Sequence, residues 1–273
     1  MGQNMETERA GARMGELVKG VSRLDKRFTY LAHVPKRAPS AAPPGLLVGV
    51  HGSDYLHEET CRYFVELGNE TNTVVLAPLF APVDGAHPDP DGYKILRSSY
   101  ADYDRVLLDM VADVVGQFGV AAGRFALFGF SGGAQFAHRF LYVYPRRLHA
   151  VSIAAPGMVT LIHPGENIWV GTRDLKSRFG EDIDLEQVRQ VRTQLLVGST
   201  DNAPHSGAAG EAAYNFAGRD RVERLESLAA NYRSLEIPCD CEVVAGADHQ
   251  FVPLAAAAVP FLRRAISSSK DET

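Results

Sequence analysis

The chain alternates short segments rich in apolar residues with longer segments in which apolar residues recur at helical spacing. The short segments predict strands at 26–34, 45–51, 73–78, 148–154, 193–198 and 240–245. The helical spacing predicts helices near 58–70, 98–118, 218–235 and 252–267. Strands that alternate with helices favour a mostly parallel central sheet with helices on both faces. The predicted fold class is therefore α/β.

The domain organisation follows from the same pattern. Residues 26–267 are predicted to form one domain, preceded by a polar N-terminal extension over 1–25 and followed by a flexible tail over 268–273. The stretch 79–97 is too long and proline-rich for a plain connection, so we expect a functional loop there. The stretch 156–191 has room for at most a small cap insertion. This organisation predicts an open cleft.

One apolar run ends in a motif that carries chemistry. The strand-like residues 125–130 lead into Gly129-Phe130-Ser131-Gly132-Gly133, and a helical pattern follows at once. Such a strand–turn–helix exposes a serine hydroxyl at the carboxyl edge of a sheet, and the turn is so sharp that Gly129 and Gly133 must be small. A glycine-rich nucleotide-binding turn is disfavoured, because Gly-x-Gly-x-x-Gly is absent. Ser131 is the predicted nucleophile.

A serine nucleophile needs a base, and the base needs a carboxylate that orients it. In the arrangement that uses this turn, the chain order is Ser, then Asp or Glu, then His. Asp201 follows the strand predicted at 193–198, and His249 follows the strand predicted at 240–245. Since the carboxyl ends of parallel strands meet at one edge of a sheet, Asp201 is the predicted acid and His249 the predicted base.

Two other carboxylates compete for the acid position. Asp174 repeats the Gly-x-x-Asp pattern after an apolar stretch, and Asp248 adjoins His249. Asp201 is preferred because one helix and one strand separate its strand from His249, whereas Asp174 would need an extra strand. Neighbouring loop side chains such as Asp248 and His249 rarely orient each other.

A second apolar run points to the group that would stabilise negative charge. The strand predicted at 45–51 ends in His51-Gly52-Ser53, a loop of the kind that supplies one backbone N–H of an oxyanion hole. The residue after the nucleophile supplies the other. The predicted donors are Gly132 and Ser53, with Asp54 as the alternative to Ser53. His51 is expected to hold this loop in place by hydrogen bonds.

Four side chains near these segments are candidate substrate contacts. Asp54 and Tyr55 lie beside the oxyanion loop, and Tyr93 lies in the long loop over 79–97. Trp169 lies in the stretch predicted to hold the cap, where it lines the pocket or fills the core; both interpretations stay open.

Taken together, these motifs make the chain resemble serine hydrolases of the α/β-hydrolase fold. Within that superfamily it is similar to small single-domain esterases related to polyhydroxybutyrate depolymerases and feruloyl esterases. The resemblance covers about residues 27 to 267. The segments that carry it are Leu47–Ser53, Phe125–Pro145, Leu195–Asp201 and Ala245–Phe251. One departure is Ser53, since the depolymerase group often has cysteine after His-Gly.

The resemblance implies hydrolysis of carboxylic esters through an acyl-enzyme, with a small-molecule or polymeric ester as substrate. The mechanism needs no metal and no organic cofactor. An amidase, peptidase or thioesterase of the same fold would use the same three side chains, so these alternatives stay open. A non-catalytic binding protein on this scaffold would normally have lost one of them.

Charge and cysteine content limit the classes of partner and the kinds of site that we expect. A net charge of −5 and a pI near 6.0 argue against binding to nucleic acid or to an anionic membrane surface. The three cysteines show neither a disulfide framework nor zinc-ligand spacing. Residues 1–20 are polar and lack the apolar core of a signal peptide, so a cytoplasmic location is expected. A homodimer is left open.

Overall fold

A single mixed sheet organises the protein. The computed structural model describes residues 15–36, 42–81, 89–121, 123–204 and 216–271. Over these residues the strands are β1 (Leu17–Val21), β2 (Thr29–His33), β3 (Gly45–Val50), β4 (Thr73–Leu79), β5 (Phe125–Phe130), β6 (Leu148–Ala154), β7 (Arg192–Gly198) and β8 (Cys239–Val244). Their order is β1-β2-β4-β3-β5-β6-β7-β8. β2 is antiparallel to both neighbours, and all the other pairings are parallel.

Helices cover both faces of this sheet. They are α1 (His57–Tyr63), α2 (Val65–Glu70), α3 (Tyr103–Phe118), α4 (Gly132–Val143), α5 (Leu175–Phe179), α6 (Leu185–Arg189), α7 (Arg221–Ser234) and α8 (Phe251–Asp271), with 3-10 turns at Gly92–Ile95 and Pro145–Arg147. The apolar side chains of α3, α4 and α7 pack in one core cluster. Those of α1, α2 and α8 pack in a second cluster. The predicted α/β architecture is therefore confirmed.

The central strand β5 explains why the sequence shows unbroken apolar runs. All six residues of β5 are buried. Successive side chains of a strand point to opposite faces. Accordingly, Phe125 and Leu127 belong to the first core cluster, whereas Ala126 and Phe128 belong to the second. A parallel strand covered by helices on both faces needs an apolar residue at every position.

The N-terminal boundary differs from the prediction. The extension predicted over 1–25 contains β1, which pairs with β2 from Leu17 opposite His33 to Val21 opposite Thr29. Only Val18 is buried among the five residues of β1, because this strand lies at the edge of the sheet. An edge strand with one buried side chain leaves almost no apolar signal, so the prediction placed the start of the sheet too late.

Other predicted boundaries shift by a few residues. The helix predicted at 58–70 is broken into α1 and α2, and the helix predicted at 98–118 begins only at Tyr103. Before it, the N–H of Ser98 bonds the carbonyl of Ala101 and forms a turn. At the other end, α8 continues to Asp271, so the predicted tail over 268–273 begins inside a helix. Nowhere in the described chain does a helix have the length and apolar character needed to cross a bilayer.

Candidate active site

Ser131 lies at a strained turn between β5 and α4. Its backbone has φ 53° and ψ −110°, a region that non-glycine residues rarely adopt. A Cβ on Gly129 would overlap the carbonyl of Gly133, and a Cβ on Gly133 would overlap the carbonyl of Val50 in β3. Both glycines are therefore required by backbone contacts, and the resulting turn raises the serine above the carboxyl edge of the sheet.

The side chains of Ser131, His249 and Asp201 form one hydrogen-bonded chain. His249 Nε2 lies 2.9 Å from Ser131 Oγ, and His249 Nδ1 lies 2.7 Å from Asp201 Oδ2. Because an ionised carboxylate only accepts, Nδ1 carries the proton and Nε2 is free to accept one from Ser131. The imidazole also stacks on Phe130, with ring centroids 4.9 Å apart. The three side chains that the sequence predicted to act together thus meet.

Asp201 is held at the end of β7 in a tight turn. Its N–H bonds the carbonyl of Gly198, and its side chain is 1% exposed. The second carboxylate oxygen, Oδ1, accepts a 2.8 Å hydrogen bond from Arg221 Nη1. Burial alone would raise the pKa of Asp201, but the hydrogen bonds and charges of His249 and Arg221 lower this pKa below its usual 3.8. Asp201 is therefore ionised at neutral pH.

The two rival carboxylates make other contacts. Asp174 Oδ1 accepts the N–H of Ile168 at 2.8 Å, and Asp174 directly precedes α5, so it does not follow a strand. Asp248 is exposed, and its Oδ1 accepts the backbone N–H of His249. The geometry therefore favours Asp201 as the partner of the imidazole.

The loop after β3 lies beside the serine. His51 is fully buried; its Nε2 accepts the N–H of Phe80 at 3.0 Å, and its Nδ1 donates to the carbonyl of Gly52 at 2.6 Å. These bonds confirm the structural part predicted for His51. A Cβ on Gly132 would come within 3.0 Å of Ser53 Oγ, so the Ser53 side chain lies beside Gly132, the residue that follows Ser131. The N–H groups of Gly132 and Ser53 donate to no other residue in the described part of the chain.

No protein-family model matches the chain, and no curated protein matches it in sequence. Solved structures do match. Poly(aspartic acid) hydrolase-1 from Sphingomonas sp. KT-1 has a TM-score of 0.76 at 16% identity, over 91% of this chain and 98% of that one. The chain has the α/β-hydrolase fold.

Two further structures with the α/β-hydrolase fold match over nearly the whole chain. The poly(3-hydroxybutyrate) depolymerase of Bordetella parapertussis has a TM-score of 0.70 at 20% identity, covering 94% of each chain. A ferulic acid esterase has a TM-score of 0.65 at 15% identity, covering 93% of this chain and 98% of that one. Identities this low establish the fold alone.

Of the four candidate substrate contacts, the two tyrosines lie beside the oxyanion loop and the tryptophan lies in a separate cluster. Tyr55 and Tyr93 pack against His51, with ring centroids at 5.2 and 5.3 Å, which places both beside the oxyanion loop. The Tyr55 hydroxyl donates to the carbonyl of Pro90, and Asp54 is exposed. Trp169 is half-buried and packs with a small separate cluster in the stretch between β6 and β7.

A buried arginine of α4 hydrogen bonds two segments that lie beside the site. Arg139 is 1% exposed and donates to the carbonyls of Lys94 and Trp169 and to the hydroxyl of Thr160, at 2.7, 3.2 and 2.8 Å. Burial lowers the pKa of Arg139 to about 9. Its guanidinium therefore joins the segments that carry Tyr93 and Trp169 to the helix that begins at the serine. The described residues hold no cluster of three or more potential metal ligands.

Sequence reasoning missed Arg139 as an anchor and Arg221 as the second partner of Asp201. Arg221 is the first residue of α7, capped by Asp220, whose side chain accepts the N–H of Glu223. A single charged residue in the first turn of a helix looks like a solvated position. Its 20-residue separation from Asp201 follows no local period, so the sequence pattern carries no signal for this contact.

Replacing Arg221 with methionine should destabilise the fold by about 3 kcal/mol at pH 6, since it leaves a buried carboxylate oxygen without its cation. The sign of the pH dependence follows from the lowered pKa of Asp201. A carboxylate with a lowered pKa stabilises the fold fully above its unfolded value, about pH 4, and loses this contribution as the pH falls. Urea unfolding at pH 6 and at pH 3 should therefore show a smaller penalty at pH 3.

The matched control is Arg233→Met, which removes an exposed arginine from the same helix and should change the free energy of unfolding by less than about 0.5 kcal/mol. An Arg221→Met penalty that stayed constant between the two pH values would contradict the pairing.

Proposed function

We propose that this protein is a serine hydrolase that cleaves a small-molecule or polymeric carboxylic ester through an acyl-enzyme. The observation that carries the proposal is the chain of hydrogen bonds from Ser131 through His249 to Asp201 at the carboxyl edge of the sheet. The neighbours in fold lend support, because their names include a poly(3-hydroxybutyrate) depolymerase and a ferulic acid esterase.

Acylation begins when Ser131 Oγ attacks the ester carbonyl carbon. His249 Nε2 takes the hydroxyl proton as the Oγ–C bond forms, and the carbonyl π pair moves onto the oxygen. Asp201 keeps the imidazole in the tautomer that can accept this proton, and its negative charge stabilises the imidazolium. The lowered pKa of Asp201 keeps that charge in place at neutral pH.

The oxyanion lies where Gly132 and Ser53 present their backbone N–H groups. Both groups donate to no other described residue, and Gly132 begins α4, whose dipole favours negative charge at this end. When the tetrahedral intermediate collapses, His249 gives its proton to the departing alcohol. Water then attacks the acyl-enzyme with His249 again as base, and the acid product leaves Ser131 free.

A fluorophosphonate probe tests the proposal directly. Such a probe reports a nucleophilic serine, and we expect one probe per chain, found by mass spectrometry on the peptide that contains Ser131. Ser177→Ala, which removes an exposed serine from α5, should label as fast as the parent protein. Label on a different residue, or none, would overturn the assignment of the nucleophile.

The substrate class is tested with acyl-matched esters, thioesters and anilides. The proposal expects the largest kcat/KM for the esters. A larger kcat/KM for the anilides or thioesters would replace the esterase proposal with an amidase or thioesterase that uses the same side chains. Labelling at Ser131 without turnover of any member would favour a binding protein.

A further inference from the structure

Tyr93 belongs to the 3-10 turn at Gly92–Ile95, and its side chain is fully buried beside the oxyanion loop. Its ring packs against the rings of His51, Phe80 and Tyr103, with centroids at 5.3, 5.6 and 6.4 Å. Aromatic neighbours on several sides leave the ring little freedom to turn. The direction of the hydroxyl is therefore fixed by the core.

The hydroxyl of Tyr93 lies against the turn between β5 and α4 that carries Ser131. A Cβ added to Gly132 would overlap this hydroxyl, and the same Cβ would come within 3.0 Å of Ser53 Oγ. The Tyr93 oxygen thus lies against Gly132 on the side that faces Ser53. These are the two residues whose backbone N–H groups are the proposed oxyanion donors.

This hydroxyl has at most a weak polar partner. It is buried from solvent and makes no hydrogen bond of normal geometry within the described residues, although the Ser53 side chain lies close enough to lower its pKa slightly against the effect of burial. A buried polar group without a partner costs about 1–3 kcal/mol, so native proteins rarely keep one unless another role retains it. Burial raises the pKa of Tyr93 well above its usual value of 10, so the hydroxyl keeps its proton at neutral and mildly alkaline pH.

We propose that Tyr93 is a third donor of the oxyanion hole, whose hydroxyl hydrogen bonds the carbonyl oxygen of the ester as that oxygen becomes negative. The inference rests on the proposed hydrolase function. As the Ser131 Oγ–C bond forms, the carbonyl π pair moves onto this oxygen, and a neutral donor held in place needs no reorganisation to meet the charge. The hydroxyl gains a well-formed, charge-assisted hydrogen bond only in the tetrahedral state, and a bond that forms only in that state lowers the barrier.

The same placement explains why residue 132 is glycine. Any side chain at this position would take the space between the Tyr93 hydroxyl and Ser53 Oγ. Glycine at position 132 therefore lets the Tyr93 hydroxyl lie directly against the backbone of the residue that follows Ser131.

Tyr93→Phe tests the proposal, because it removes one oxygen and keeps the ring. We expect kcat for a p-nitrophenyl ester to fall about 100-fold with KM little changed, as for the loss of one oxyanion donor. The inhibition constant of a trifluoromethyl ketone, which forms a tetrahedral adduct on the serine, should weaken by a similar factor. A structural or ground-state role would instead raise KM or leave the ketone's affinity unaltered.

The matched control is Tyr232→Phe. Tyr232 is another fully buried tyrosine, which packs on Tyr142 about 15 Å along α4 from Gly132. Its variant should keep the parent's kcat and its affinity for the ketone.

The results distinguish a failure of the Tyr93 proposal from a failure of the hydrolase proposal. If the parent protein hydrolyses the ester and Tyr93→Phe retains the parent's kcat, Tyr93 is not a donor, while the hydrolase assignment stands. If the parent protein neither hydrolyses esters nor labels with the fluorophosphonate, the hydrolase assignment fails and the part given to Tyr93 fails with it.

Discussion

Replacing Ser131 with alanine is expected to lower kcat for a p-nitrophenyl ester by about a million-fold, the loss measured when a serine hydrolase is deprived of its nucleophile. Without Oγ no acyl-enzyme can form, and only direct attack of water beside the oxyanion donors remains. The rate is measured by release of p-nitrophenol at saturating substrate. Enzyme from an expression host that lacks its own background esterases is needed to see so large a drop.

Loss of activity must be separated from loss of fold. Alanine and serine meet the same backbone strain at φ 53°, so the variant should unfold within a few degrees of the parent. Ser177→Ala in α5 is the matched substitution and should retain full turnover. If Ser131→Ala kept more than a tenth of the parent's kcat, the reactive group would have to be sought elsewhere.

The sequence predicts most reliably where burial on both faces forces a continuous apolar run. β5 is such a strand, and so is β7, where six of seven residues are buried. The sequence also predicts β8, although that strand is largely exposed, because it ends in a glycine-containing loop as its neighbours do. β1 has neither feature, because one edge strand with a single buried residue differs little from a loop.

The residues of the candidate site also divide into those that the sequence predicts and those that it does not. Ser131, Asp201 and His249 each follow a predicted strand, so the rule that parallel strands end at one edge of the sheet places them together from the sequence alone. Their catalytic roles remain predictions. Arg139 and Arg221 follow no such rule, because a buried arginine satisfied by carbonyls or by one distant carboxylate depends on contacts between segments far apart in the chain.

Within the proposed mechanism, Arg221 has a consequence for how Asp201 acts. A carboxylate shared between an imidazole and a guanidinium is held from both sides, which restricts its rotation and fixes the imidazole. The same positive charge stabilises the anion and so weakens its attraction for a proton on His249. Asp201 therefore contributes as an orienting charge and does not itself become protonated.

Replacing Asp201 with asparagine should lower kcat by about 10⁴-fold, as in the serine proteases where this change was made. The amide can turn its NH₂ group toward His249, which then accepts at Nδ1 and carries its proton on Nε2. In that tautomer Nε2 cannot take the proton of Ser131, 2.9 Å away. The measurement is kcat at pH 7–8, with thermal unfolding recorded for the same samples.

Asp174→Asn is the matched control, since Asp174 shares the Gly-x-x-Asp pattern but bonds the N–H of Ile168. An amide oxygen can accept that N–H equally well, and only the partly exposed ion pair with Arg178 is lost, so kcat should stay within about threefold of the parent. A large loss for Asp174→Asn, with Asp201→Asn nearly unaffected, would transfer the orienting role to Asp174. Because the two variants carry the same chemical change at equally spaced motifs, the comparison assigns the loss to the contacts that Asp201 makes with His249 and Arg221.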